Sequence, residues 1–147
     1  MSSRRYALVL WLLLTAFFAR VLGQVLVAYG HVHFLPPMEQ WQSGLLPYPL
    51  LLASQIVILT LLGAVAMDFT RGHGRFVQPS RRMATGLTWF GCIYLGSMIV
   101  RYVISMRRHP EWRWIGHTIP IVLHGVLATF VLVAADFHRR ASGDGKD

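Results

Sequence analysis

YPLLLASQIVILTLLGAVAM, residues Tyr48–Met67, runs for 20 positions without one charged side chain. At 1.5 Å of rise per helical residue, about 20 residues match the ~30 Å hydrocarbon core of a bilayer. Three more runs of similar length and character follow this template, Tyr6–Tyr29, Met83–Ser105 and His117–Phe137. The expected fold is therefore all-α: one four-helix transmembrane domain over residues 1–147, built as two helical hairpins, with a short tail at 138–147. Composition agrees. The chain is 54% hydrophobic and only 14% charged, against about one quarter charged in ordinary soluble domains. Little sequence is left over for a soluble domain.

A net charge of +8 raises the question of nucleic acid, but the basic residues cluster at segment ends and not along one face. They read as topology signals. Arg4 and Arg5, then Arg71, Arg75, Arg81 and Arg82, then Arg139, Arg140 and Lys146 fall on one side, while the first loop on the other side carries no Lys or Arg. The positive-inside rule then places both termini in the cytoplasm, and the expected location is an inner membrane of bacterial type. Arg4-Arg5 ahead of an apolar run, with Val21-Leu22-Gly23 behind it, resembles a signal peptide. Arg20 before that site and the apolar residues out to Tyr29 favour an uncleaved helix. The single cysteine, Cys92, excludes an intrachain disulfide.

Polar side chains inside apolar runs are expensive and so mark interior or functional positions. In the first helix Arg20, Gln24 and His31 return to one side. Arg20 lies about ten residues from the outer end, so a snorkelling side chain has roughly 14 Å to cover, and an inward, partnered arginine is the better reading. The second helix begins with Pro49 in its first turn and carries Tyr48 and Gln55 on one face. In the third, Tyr94, Ser97, Arg101 and Ser105 share a face, while Ala84, Thr88, Cys92 and Gly96 form a stripe of small residues suited to close helix packing. The fourth opens with Gly116-His117-Thr118-Ile119-Pro120-Ile121-Val122-Leu123-His124. Pro120 either kinks this helix or sits harmlessly in its first turn. His124 lies on the face of His117, about 10 Å deeper.

The loops carry weaker signals. His31, His33 and Glu39 offer a thin ligand set for a metal, and Trp41 reads as an aromatic anchor at headgroup depth. The loop Thr70–Arg82 lacks the spacing of a phosphate-binding loop, so its arginines are expected to face anionic lipid. Trp112 and Trp114 are expected in the outer headgroup layer. Asp68-Phe69-Thr70-Arg71 and Asp136-Phe137-His138-Arg139 repeat one pattern at the two helix ends, a hint of duplicated hairpins or of convergent end chemistry.

In this topology Arg20, Gln24, Gln55, Arg101 and His124 come to similar depth in the outer half of the bilayer, with His117 above them. No run has a carboxylate at that level, so the arginines call for a counterion: Glu39 or Glu111 from the loops, backbone carbonyls, or a bound anion. The expectation is an outer-leaflet, positively charged cavity that binds an anionic or carbonyl-bearing lipophilic ligand, a lipid headgroup or a quinone. The alternative is a non-catalytic structural or accessory subunit of a larger membrane complex. A b-type haem carrier is a weaker reading, because His124 has no histidine across the bundle at its own depth. No Ser-His-acid motif or carboxylate pair points to an enzyme. Membrane lipids, and another copy or a larger complex, are the expected partners.

Overall fold

In a computed structural model the described residues are 3–30, 35, 41, 47–108 and 118–143. They form four helices, α1 (Ser3–Gly30), α2 (Tyr48–Arg71), α3 (Arg81–Arg108) and α4 (Thr118–Ala141). Each is long and apolar enough to cross a membrane. The helices exceed the apolar runs at several ends because arginine and serine are tolerable helix residues where the charge can reach water.

The four helices stand in the order α2, α1, α4, α3. α1 packs against α2 and α4, and α3 packs against α4; α2 and α3 do not touch among the described residues. The two hairpins therefore meet through α1 and α4. A core of Leu10, Leu14, Leu62, Ala66, Phe69 and Phe130 joins α1, α2 and α4. Higher up, Phe17, Val21 and Leu123 close the same interface. Bulky side chains such as Leu8, Leu12, Phe18, Val57, Ile93 and Val100 point outward, as a lipid-facing surface requires.

Of the small-residue stripe on α3 only Ala84 is buried. Thr88 and Cys92 are exposed, and a Cβ on Gly96 would meet nothing within 4 Å. The contact runs instead through buried Gly91, where a Cβ would come within 2.7 Å of Leu132 on α4. Steps of four drift around a 3.6-residue helix, so a stripe that looks continuous in sequence can leave the contact line.

At the end of the molecule that carries both termini, Tyr6 donates its hydroxyl to Asp136 Oδ2 at 2.7 Å, and Arg139 and Arg140 bind the same carboxylate at 2.8 and 2.7 Å. The rings of Tyr6, Phe69 and Phe137 pack edge to face beneath it, with 4.8 Å between the two phenylalanines. Asp68 does different work. Its carbonyl accepts the N–H of Gly72 at 2.9 Å, its carboxylate accepts that of Phe76 at 3.3 Å, and Gly72 and Gly74 take φ of 72° and 132° to let the loop fold over it. The two Asp-Phe pairs thus meet through their rings, while their carboxylates serve unrelated ends.

Pro120 is the third described residue of α4, and the residues before Thr118 lie outside those described.

Candidate functional site

The polar residues of α1 and α2 come together between the helices. Arg20 is half-buried, and Gln24 and Gln55 are 0% and 3% exposed. Three residues of chemistry meet on one atom: Gln24 Oε1 accepts from the guanidinium of Arg20 and, at 3.1 Å, from Nε2 of Gln55. The second arm of the guanidinium donates to the backbone carbonyl of Trp41. The indole of Trp41 lies 5.8 Å from the Arg20 Cζ, within cation–π range.

Local sequence explains this geometry. Arg20 and Gln24 stand one turn apart on α1, and Gly23 between them leaves the space into which Trp41 packs, since a Cβ there would fall 2.7 Å from the ring. Trp41 is only 7% exposed, its ring packed against α1 at Gly23 and over Arg20. Gly23 gave no sign of this in the sequence, because a lone glycine in an apolar helix is compatible with many environments.

The arrangement leaves polar capacity unused. Arg20 Nε, Gln24 Nε2, Gln55 Oε1 and the hydroxyl of Tyr48 are buried without a partner. Among the described residues no carboxylate forms an ion pair with Arg20; the two ion pairs present belong to Asp136. The guanidinium of Arg20 and the amide of Gln24 have spare donors, Nε and Nε2, that can hold an oxygen acceptor firmly in a low-dielectric setting, most of all a charged one, while the spare atom of Gln55 is itself an acceptor.

His124 does not join this network directly. Its Nδ1 is hydrogen-bonded to the hydroxyl of Tyr94 on α3, with the rings edge to face at 5.6 Å, and Phe90 stacks on the far side of Tyr94. Arg101 is exposed on α3. The six residues expected at one site thus divide: Arg20, Gln24 and Gln55 form a bonded cluster, His124 pairs with Tyr94, Arg101 stands apart, and His117 lies outside the described residues. His31, His33, Glu39, Glu111, Trp112 and Trp114 lie outside them as well. Tyr94 is the addition; its place on the polar face of α3 was the sequence signal for it. Among the described residues no group of histidine, cysteine or acidic side chains could hold a metal.

Known protein families, curated proteins and solved structures offer no match to this chain.

Proposed function

We propose that this is a membrane protein, both termini cytoplasmic, that binds an anionic lipophilic ligand in the outer half of the bilayer through Arg20, Gln24 and Gln55. The observation that carries the reading is the unused capacity of the cluster: a guanidinium with no carboxylate partner among the described residues, whose Nε is buried without a hydrogen-bond partner, as is Nε2 of Gln24 beside it. Buried charge without a counterion is costly, and an incoming phosphate or carboxylate oxygen relieves that cost while accepting from Arg20 Nε and Gln24 Nε2. A quinone carbonyl can accept the same hydrogen bonds but leaves the charge unbalanced, so an anion is favoured over a neutral ring. The membrane in question is of bacterial inner type, on the charge asymmetry of the loops.

A structural or accessory role is the second reading, favoured by one observation: among the described helices α3 packs against α4 only, and it exposes Thr88, Cys92 and Ile93. In that case the polar cluster only ties helices together.

Purification in mild detergent, followed by a visible spectrum and mass spectrometry of co-purifying lipids and quinones, separates the readings. An anionic lipid retained by the native protein and lost from Arg20→Leu supports the ligand site. Retention of nothing, with thermal stability unmoved by added anionic lipid or quinone, leaves the accessory reading, and a Soret band overturns both in favour of haem.

A further inference from the structure

The hydrogen bonds at Gln24 decide which atoms of the α1–α2 cluster are left over. A guanidinium can only donate, so the Gln24 atom that faces Arg20 is its carbonyl oxygen. That oxygen can only accept, so the Gln55 atom bonded to it is Nε2, and Oε1 of Gln55 is turned to the other side of its amide. Turning either amide over sets donor against donor or acceptor against acceptor, which fixes both orientations. The remainder is an unequal set: Arg20 Nε and Gln24 Nε2, which donate, and Gln55 Oε1, which accepts, all buried without a partner. Each of the three sits on the same planar group as a bonded atom, which keeps all of them within about 5.5 Å of Gln24 Oε1. Both glutamines are fully buried, so bulk water does not serve the spare atoms of their amides.

Resting on the anion site proposed above, we infer that its ligand is a lipid whose anionic head carries a hydroxyl of its own, a phosphodiester of a polyol such as glycerol. An oxyanion has acceptors only. Alone it satisfies Arg20 Nε and Gln24 Nε2 but leaves Gln55 Oε1 buried and unpaired, at the full desolvation cost of that oxygen. A hydroxyl a few bonds along the same head donates to Gln55 Oε1 and completes the set. A fatty carboxylate has only its chain behind the oxyanion, and a phosphodiester capped by an alkyl group has no donor, so each leaves that acceptor unmet. An ammonium head supplies donors, but a zwitterion brings no net charge to balance Arg20, which has no carboxylate partner among the described residues. Charge count agrees: a phosphodiester holds a single negative charge against one guanidinium, whereas a phosphomonoester approaches two near neutral pH and adds desolvation cost without a second cation in the cluster.

The test titrates the whole protein in mild detergent with phosphatidylglycerol and with phosphatidylmethanol of the same chains, and reads bound lipid by native mass spectrometry. The two lipids share one phosphodiester charge and differ in the headgroup hydroxyls. Phosphatidylglycerol is expected to bind about tenfold tighter, the effect of pairing one buried acceptor. Gln55→Leu deletes that acceptor and should bring the two lipids to equal affinity, while Arg20→Leu should abolish retention of both. If the Gln55 variant fails to fold, the comparison in the native protein still decides. Equal binding of the two lipids by the native protein, tighter binding of phosphatidic acid, or a preference for phosphatidylglycerol that survives Gln55→Leu overturns the inference and leaves the anion site standing. Phosphatidylethanolamine bound as tightly as phosphatidylglycerol, or no anionic lipid bound at all, overturns both.

Discussion

Gln55 donates its Nε2 to Oε1 of Gln24 at 3.1 Å, and this bond ties α2 to α1 inside an otherwise apolar interface. The same oxygen also accepts from Arg20, so the two glutamines are not equivalent. Gln24 is the hub, and Gln55 is a spoke with its own Oε1 left over.

Removing the hub should therefore cost more than removing the spoke. Gln24→Leu strands one arm of the guanidinium and the Gln55 amide, a loss of about 1–3 kcal/mol for buried groups left without partners. Gln55→Leu removes one donor and one unpaired acceptor together, and should shift stability by less than about 1 kcal/mol. Thermal unfolding in detergent compares them, and equal losses would contradict the shared-acceptor arrangement.

Tyr6 and Asp136 hold α1 to α4 at the terminal end through a hydroxyl–carboxylate bond of 2.7 Å. Tyr6→Phe keeps the ring against Phe137 and deletes only that bond. The expected loss is about 1.5 kcal/mol, at the lower end for hydrogen bonds to charged groups because Arg139 and Arg140 still bind the carboxylate. Phe137→Ala, which removes a ring in contact with both Tyr6 and Phe69, should cost about 3–5 kcal/mol by the same measurement.

The position of α3 rests on Gly91 and not on Gly96 of the small-residue stripe. Gly91→Leu should dislodge α3 from Leu132 and lower the unfolding temperature, whereas Gly96→Leu, facing open space, should leave it unchanged or slightly raised because leucine is the better helix former. A cysteine pair engineered across α3 and α4 reads this directly: disulfide formation should survive the second substitution and fail with the first.

Gly74 adopts φ of 132°, and a Cβ there would fall 2.2 Å from the Asp68 carboxylate. Gly74→Ala should open the loop between α2 and α3 at a cost of about 1–3 kcal/mol. Trypsin cleavage at Arg71 and Arg75 should then accelerate, and an unchanged cleavage rate would show that the loop does not depend on Asp68.

Much of this architecture was legible in the sequence because membrane thickness fixes helix length and uncharged runs are unmistakable. Residues 48–67 alone set the template, and the interior position of Gln24 and Gln55 follows from the cost of amides in hydrocarbon. What could not be read was contact. The stripe from Ala84 to Gly96 and the glycine at 91 are equally small, and only the crossing of α3 and α4 decides which one packs. Depth placed Arg20, Arg101 and His124 on one level, yet depth says nothing of angle around the bundle, and it is the angle that gives His124 to Tyr94 and leaves Arg101 exposed. The packing of Trp41 could not be read either, because nothing local reveals the gap at Gly23 that receives its ring.

The most direct measurement is a crystal structure of the native protein grown from a lipidic phase, read at Arg20 Nε and Gln24 Nε2. The account predicts density for the acidic head of a lipophilic molecule, with an oxygen about 3 Å from both nitrogens and an apolar chain leading away from it. A protein carboxylate in that place, Glu39 or Glu111 reaching in from a loop, or water alone with no chain behind it, would contradict it.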